Sequence, residues 1–295
     1  MDHPAEPLTL EDIVLARDTR NVSRLRPYVP KDFLSRAARR VLDHPGRVLL
    51  VTGFFIVRAG RTETDGPPGA AAVGRALRTL GYEVAYVTDR LSLDAVGALA
   101  DGDPVIEFPI TDARTSARFA AKLLETRCPS LLVAVERPGL FPDGTYRNST
   151  GIDITGFNAK TDFLFSGDAV SIGIGDGGNE IGMGNVRALM AAEGGPADDS
   201  LCATGATDLV IASCSNWGAY GLTAALSLMT GEDLLPNPGK ARERLRRIVA
   251  AGAVDGMSAE SREWVDGRPP EEEARCLDDL RGFIRRKSAE APELT

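Results

Sequence analysis

The amino-acid sequence predicts an α/β fold of three layers, in which a mostly parallel, doubly wound sheet is covered by helices on both faces. Two observations lead to this prediction. Short apolar segments rich in β-branched residues recur along the chain, and each is followed by a segment with helical spacing. Continuous apolar strands are typical of parallel sheets, because both faces of such a sheet are buried. Helical extensions are predicted before and after this core.

Six segments have the composition of buried strands, and helical patterns lie between them. The predicted strands are residues 47–57, 83–88, 104–108, 130–135, 169–175 and 208–214. The predicted helices between and after them are residues 69–80, 93–100, 112–126, 185–193 and 217–229. We expect residues 1–295 to form a single α/β domain, with a core at about 45–235, N-terminal helices at 9–44 and a helical region at 236–295.

Composition excludes several classes of function. The 295 residues carry a net charge of −8, so the clustered basic surface that nucleic-acid binding requires is not expected. No apolar run approaches the ~18–20 residues of a membrane span. The N-terminus is acidic and lacks the pattern of a secretion signal, and the four cysteines are far apart. These features predict a cytoplasmic protein that binds neither nucleic acid nor membrane.

The histidine content restricts the chemistry. The chain has two histidines, His3 and His44, and both lie outside the predicted strand ends. Triad hydrolysis and histidine-ligated zinc are therefore poor candidates. Acid–base chemistry would have to come from carboxylates, Tyr, Lys, Thr or a metal-bound water.

Ligands of doubly wound sheets bind outside the carboxyl ends of the strands. This rule selects the loops at residues 57–68, 136–160, 173–185 and 214–217. The third of them contains six glycines together with Asp176, Asn179 and Glu180. Gly173, Gly175 and Gly178 formally satisfy the dinucleotide pattern G-x-G-x-x-G, but residues 171–186 contain no Lys or Arg and two acidic side chains. Such a loop favours a cation or a zwitterion over a pyrophosphate, and a tight turn with capping side chains is the alternative.

The other three loops also carry polar side chains at predicted strand ends. The ambiguity is similar in each: a solvated loop, a structural ion pair or a helix cap would use the same residue types. The candidate residues are Glu63, Thr64 and Asp65 in the first loop, Glu136, Arg137, Asp143, Tyr146 and Arg147 in the second, and Asn216 and Trp217 in the fourth. A Val-Asp-Gly sequence is repeated at 254–256 and 265–267.

Taken together, these motifs resemble those of the D-glutamate cyclase family. The similarity lies in GIGDGGNEIGMGN at 173–185, ETDGPPG at 63–69, ERPG at 136–139, DGTYRNSTGIDI at 143–154 and CSNWGAYGL at 214–222. It covers residues 47–267, in the order found in the C-terminal domain of the two-domain animal enzyme and in single-domain bacterial relatives. The resemblance implies a lyase that interconverts D-glutamate and 5-oxo-D-proline with loss or gain of water.

This reaction needs a base for the substrate ammonium and neutralisation of a carboxylate. On the resemblance, Glu136, Asp176 and Glu180 would bind the ammonium or a divalent cation, and one of them would act as the base. Arg137 or Arg147 would hold a substrate carboxylate. The remaining substrate-binding candidates are the amides of Gly177, Gly178 and Asn179, the side chains of Glu63, Thr64, Asp65, Asp143, Tyr146, Asn185 and Asn216, and Trp217. Mg²⁺ or Mn²⁺ would suit Asp176 and Glu180, whose ligand atoms are hard oxygens.

Two other interpretations stay open at this stage. The formal glycine fingerprint would also fit an NAD(P)-binding oxidoreductase. The same pocket would also fit a non-catalytic amino-acid-binding protein. In each case the expected partner is a small molecule, and the sequence leaves a homo-oligomer open.

Overall fold

A computed structural model of the chain describes residues 8–193 and 198–290. Within these residues, six parallel strands form one sheet: β1 (Arg47–Thr52), β4 (Glu83–Thr88), β5 (Val105–Glu107), β6 (Leu131–Val135), β7 (Ser171–Gly175) and β8 (Asp208–Ile211). Their order in the sheet is β5-β4-β1-β6-β7-β8. The predicted parallel, doubly wound sheet is confirmed.

The first predicted strand is shorter than expected. Residues 47–57 were expected to form one strand, but β1 ends at Thr52 and Gly53 turns the chain with a left-handed backbone (φ 104°). Phe55–Ile56 (β2) then pairs antiparallel with Arg61–Thr62 (β3). The apolar composition continues through the turn because Phe54 and Ile56 pack with Tyr146 and Ile154 in a small apolar cluster of their own. Composition alone therefore could not locate the end of β1.

Nine α-helices surround the sheet within the described residues. They are α1 (Leu10–Val14), α2 (Phe33–Asp43), α3 (Pro67–Thr79), α4 (Leu93–Gly97), α5 (Ala113–Arg127), α6 (Gly184–Ala192), α7 (Ser215–Thr230), α8 (Pro238–Ala250) and α9 (Pro270–Glu290). Short 3₁₀ helices lie at Val22–Tyr28, Thr155–Phe157 and Thr161–Leu164. None of these helices is long and apolar enough to cross a membrane.

The core has two parts, one on each face of the sheet, because side chains alternate along every strand. On β1, Val48 and Leu50 join the cluster formed with α1, α2, α3, α7 and α9. Leu49 and Val51 point to the opposite face, which α5 covers. The centre of the first face is α7, whose residues 215–227 are all buried. The two helical layers are therefore held by one sheet that is apolar on both sides.

The strand order places a topological switch point between β1 and β6. From β1 the chain proceeds outward through β4 and β5, then returns to β6 and proceeds the other way through β7 and β8. The loops after β1 and β6 diverge at this point and leave a crevice, where ligands of doubly wound folds bind. The residues that follow β1, β6, β7 and β8 are those that the sequence singled out.

Candidate active site

Two of the predicted loops hold each other in place beside the switch point. The carboxylate of Asp65, just before α3, accepts hydrogen bonds from the backbone amides of Ser215 (2.9 Å) and Asn216 (2.8 Å) at the start of α7. Asn216 completes the exchange, because its Oδ1 accepts from the amides of Gly66 (3.1 Å) and Gly69 (2.8 Å) at the start of α3. Each side chain thus satisfies amides of the other helix. The two helix N-termini are thereby fixed side by side.

Glu136 is the first residue after β6 and lies at the switch point itself. Its side chain is buried, and its Oε2 accepts a hydrogen bond from the Ser215 hydroxyl at 2.5 Å. Its backbone is left-handed, with φ 46°. A non-glycine residue in this conformation costs on the order of 1–3 kcal/mol, and such residues cluster at functional sites. The conformation therefore favours a functional role for Glu136.

The glycine-rich loop after β7 folds around one of its own acidic side chains. The carboxylate of Glu180 accepts hydrogen bonds from the amides of Gly177 (2.9 Å) and Gly178 (2.8 Å). Both amides, which were expected to bind an anionic group of the substrate, are thus occupied within the loop. These bonds explain why a glycine-rich loop with the dinucleotide-binding pattern contains an acidic residue. The Glu180 carboxylate accepts the amide hydrogen bonds that a phosphate group would accept in a dinucleotide-binding loop. Glu180 positions the loop in this geometry.

Replacing Glu180 with glutamine is expected to lower the free energy of unfolding by about 2 kcal/mol. The glutamine amide group would face the N–H of either Gly177 or Gly178, so one buried donor would lose its acceptor. Chemical denaturation measures this loss. The exposed Glu125 provides the matched control, since E125Q is expected to unfold with the wild-type free energy. An E180Q protein as stable as wild type would contradict this role.

Asp176, at the end of β7, is buried and pairs with a residue from the N-terminal segment. Nη1 of Arg20 lies 2.8 Å from Oδ1 of Asp176 and 2.9 Å from Oδ2 of Asp266. Neither oxygen of Asp176 accepts a directed hydrogen bond from the described residues. Asp266 also has a left-handed backbone, with φ 52°. An ion pair therefore joins the glycine loop to both terminal extensions.

Arg20 and Asp266 lie at the base of a cavity of about 390 Å³, and Asp176 lies behind it. Its volume falls in the range of small-molecule sites. Asn179 contributes a buried Oδ1 that has no hydrogen-bond partner among the described residues. The polar residues at the base are Arg20, Glu63, Glu136, Asn179 and Asp266, whereas Phe54, Phe55, Ile56, Val57, Ile152 and Met257 form apolar walls. The cavity thus combines a charged base with partly apolar walls, and its rim also carries the polar residues Arg58, Asn148, Ser149 and Thr150.

Burial shifts the protonation of the acidic cluster toward the neutral form. Burial, reinforced by the charge of neighbouring carboxylates, raises the pKa of Glu136 and of Glu63 well above the usual range. Burial also raises the pKa of Asp65 to about 7, although amide hydrogen bonds oppose this shift. The pKa of Asp176 is raised well above its usual range by burial, although the charge of Arg20 opposes it. Protons can therefore be held in this cluster near neutral pH.

The raised pKa of Glu136 predicts a pH-dependent stability difference. Above about pH 4.3, the ordinary pKa of glutamate, the unfolded chain loses this proton while the folded protein retains it until its own, higher pKa is reached, so rising pH favours unfolding over this interval. The E136Q variant lacks this titration. Its Tm relative to wild type is therefore expected to rise from pH 5 to pH 8, as measured by thermal melts at both values. A constant difference in Tm would contradict the raised pKa.

Several other predicted residues stabilise the surroundings of the cavity and do not line it. The Arg137 side chain is buried and donates to Asp89 (2.6 Å), to the carbonyls of Gly53 and Ala159, and to Thr161. Its donors are thus used within the protein. Since these contacts tie the ERPG loop to the ends of β1 and β4, Arg137 fixes the geometry of the switch point.

The remaining candidates have similar structural contacts. Tyr146 is buried and donates to Asp162, while Arg147 pairs with Asp143 near the surface. Asn185 exchanges hydrogen bonds with the backbone of Ala206 at 2.8 and 3.1 Å. The hydroxyl of Thr64 donates to the carbonyl of Trp264 (2.6 Å), and Trp217 packs under the guanidinium of Arg268 at 4.9 Å. Of the predicted site residues, the structure brings Glu63, Glu136 and Asn179 to the cavity and places Asp65, Asp176 and Glu180 directly behind it.

Sequence reasoning missed two charged residues of the cavity, Arg20 and Asp266. Asp266 belongs to the second copy of the repeated Val-Asp-Gly sequence, which was a usable signal for it. Arg20 lies between predicted helices in a segment with no distinguishing pattern. It reaches the site through a long-range contact that local periodicity does not encode.

The fold and the cavity together define an α/β protein with an acidic cavity at the switch point of a doubly wound sheet. Residues 10–281 match the family described as D-glutamate cyclase-like, C-terminal. The chain is 34% identical over 218 residues to human mitochondrial D-glutamate cyclase, a match that covers 68% of this chain and 35% of the human protein. The chain therefore belongs to the D-glutamate cyclase-like family.

A comparison with solved structures gives a weak likeness. A variant of actinorhodin polyketide ketoreductase, crystallised with NADPH, aligns with 83% of this chain and 91% of its own at 15% identity, with a TM-score of 0.27. At this TM-score the alignment carries no argument about fold or ligand.

Proposed function

We propose that this protein is a hydro-lyase that interconverts D-glutamate and 5-oxo-D-proline plus water. The observation that carries the proposal is the pair of buried carboxylates, Glu63 and Glu136, at the base of the cavity, both with a raised pKa. Membership of the D-glutamate cyclase-like family supports the choice of substrate. The chain matches 35% of the length of its human relative, so the activity is a proposal for this chain in its own right.

The reaction requires two proton transfers. When D-glutamate cyclises, its nitrogen forms a bond to the side-chain carboxyl carbon and one C–O bond breaks. Two protons leave the ammonium nitrogen, and the departing oxygen takes up two protons to form water. A base must therefore act at nitrogen and an acid at oxygen, at positions only a few ångströms apart.

Glu136 and Glu63 are suited to these two tasks. Glu136 lies at the switch point and is the proposed base for the ammonium, and Glu63 is the proposed acid for the departing oxygen. Because burial raises the pKa of both groups, each is a stronger base than an ordinary carboxylate when ionised and holds a proton more readily. The unpartnered Oδ1 of Asn179 can accept a hydrogen bond from the substrate ammonium. The apolar walls reduce the access of bulk water, which favours ring closure.

The acidic cluster also suits a divalent cation. Asp65, Glu136 and Asp176 each bring an oxygen within 4.8 Å of the others, and Asp176 has no directed hydrogen bond from the described residues. Hard oxygen ligands favour Mg²⁺ or Mn²⁺. We therefore replace the expected ligand pair Asp176 and Glu180 by this set, since the ligand atoms that lie together are those of Asp65, Glu136 and Asp176. Such an ion would polarise the substrate carboxyl group.

The geometry does not favour an NAD(P)-dependent oxidoreductase. The glycine fingerprint follows β7, whereas the dinucleotide loop of doubly wound folds follows the first strand, at the switch point. Its Gly177 and Gly178 amides already donate to Glu180. A carboxylate at this position would repel a pyrophosphate.

The test is an assay of the purified chain with D-glutamate and, separately, 5-oxo-D-proline, resolved by chiral chromatography with and without Mn²⁺. We expect interconversion of the two compounds, and no shift in Tm with NAD⁺ or NADP⁺. The L-enantiomers serve as the control for handedness. Binding of D-glutamate without turnover under any of these conditions would favour the amino-acid-binding alternative and contradict the proposed lyase activity.

A further inference from the structure

The N-terminal segment contributes a cation to the cavity. Arg20 lies between α1 and the 3₁₀ helix Val22–Tyr28, and its guanidinium forms part of the base of the cavity. Nη1 is occupied by Asp176 and Asp266. No acceptor among the described residues receives a hydrogen bond from Nη2 or Nε. The N–H groups of Nη2 and Nε are therefore available to a ligand.

The segment that carries Arg20 is held firmly. Nη2 of Arg268 donates to the carbonyl of Arg17 (2.8 Å) and to the hydroxyl of Thr19 (3.1 Å), while its Nη1 pairs with Glu272 at 3.0 Å. The carboxylate of Asp18 accepts from the amides of Arg20 (3.0 Å) and Ser23 (2.7 Å). Left-handed backbone at Arg17 and Asn21 turns the chain on either side of this stretch. The contacts direct Arg20 toward the sheet and fix its position.

The other arginines near the cavity have structural partners or lie at its exposed rim. Arg137 donates hydrogen bonds to Asp89, Thr161 and two backbone carbonyls, and Arg147 pairs with Asp143. Arg58 lies at the rim, where its Nη2 donates to the carbonyls of Gly256 and Met257. Among the described residues that line the cavity, Arg20 is therefore the cation with unused donors facing the buried carboxylates.

We propose that Arg20 binds the α-carboxylate, the group that D-glutamate and 5-oxo-D-proline share. This inference rests on the proposed function. An anion held by Arg20 would share the cavity with Glu136 and Glu63, and the charge of Arg20 acts on both of these groups, so the ammonium and side-chain carboxyl of the substrate would have the two acidic groups beside them. Without such a cation, a substrate with two carboxylates would be repelled by the acidic cluster. Arg20 thus acts in binding and orientation, while its ion pairs keep Asp176 and Asp266 in place.

The test compares two ligands that differ in one charge. 5-Oxo-D-proline carries the carboxylate, and 5-oxo-D-prolinamide has the same ring with a neutral amide in its place. By isothermal titration calorimetry, wild type is expected to bind the acid about tenfold to hundredfold more tightly than the amide, the size of a charged hydrogen-bonded contact. In R20Q the ratio of the two Kd values is expected to approach one. Each ratio is taken within one protein, so it is independent of differences in stability.

A control and a second variant make the result decisive. Arg24, on the adjacent 3₁₀ helix, forms a surface ion pair with Asp198, and R24Q is expected to keep the wild-type ratio. R20K retains a positive charge for Asp176 and Asp266 if R20Q does not fold, and its single ammonium is expected to reduce the ratio severalfold. A wild-type ratio in whichever variant folds overturns the inference alone. If wild type binds neither ring compound and turns over neither substrate, the proposed function fails, and the inference fails with it.

Discussion

Replacing Glu136 with glutamine is expected to reduce the turnover of D-glutamate about 10³-fold, because the variant loses a group placed for proton transfer. The glutamine side chain has nearly the same size, and its amide oxygen could still accept the hydrogen bond from Ser215. The fold should therefore be retained, which circular dichroism and a thermal melt would verify. The measurement is kcat from the chromatographic assay, with KM recorded separately to distinguish chemistry from binding.

A matched control exists at the other side of the sheet. Glu107 ends β5, the edge strand, and its side chain is exposed. The E107Q variant makes the same substitution at a strand end that does not face the cavity, so its turnover should equal that of wild type. If E136Q retained more than about a tenth of wild-type turnover, Glu136 could not be the base. The proton transfer at nitrogen would then have to be assigned to Glu63.

Burying several carboxylates together lowers the stability of the fold. This cost explains why the loops provide hydrogen-bond donors or a cation for most of them. Unpaired charges are expensive to bury, so buried carboxylates must be protonated, hydrogen-bonded or paired. Asp65 and Glu180 accept backbone amides, while Asp176 pairs with Arg20. Glu63 and Glu136 remain at the cavity with a raised pKa. The proposed acid and base thus line the cavity, whereas Asp65, Asp176 and Glu180 lie behind it.

The sheet could be predicted from the sequence because each strand is short, apolar and followed by a helix. That regularity also located the loops at the carboxyl ends of the strands, and therefore Glu136 and Asp176. The break at Gly53 was missed because the apolar composition continues into β2. An apolar composition indicates that a segment is buried, and residues 54–56 remain buried or half-buried although β1 has ended.

The hydrogen-bond and ion-pair partners of each polar side chain were harder to predict. Asp65 and Asn216 lie 151 positions apart in the sequence, yet each satisfies the amides beside the other. Arg137 was expected to face the substrate, but three-dimensional packing turns it toward Asp89. Hydrogen bonds of this kind depend on which loops meet, and residue spacing within one loop does not encode that. Arg20 could not be found for the same reason.

Part of the glycine motif has a packing role that is independent of any ligand. At Gly173, on β7, an added Cβ would lie 2.3 Å from the carbonyl oxygen of Ile181 and 2.8 Å from the Cα of Gly182. Gly182 has a left-handed backbone, with φ 108°, and its own Cβ position is 3.0 Å from the Cα of Gly173. The glycine-rich loop therefore packs against β7 with the two backbones in direct contact. This close approach brings Glu180 under the amides of the same loop.

Substituting Gly173 with alanine is consequently expected to lower the free energy of unfolding by about 3 kcal/mol or more, because the obstacle is backbone and cannot rotate away. Chemical denaturation would measure the loss, and turnover should fall with it as the loop moves from β7. Gly167 provides the control, since a Cβ there would meet no described atom within 4 Å, so G167A should be neutral or slightly stabilising. A G173A protein with wild-type stability would show that the loop does not depend on this contact with the strand.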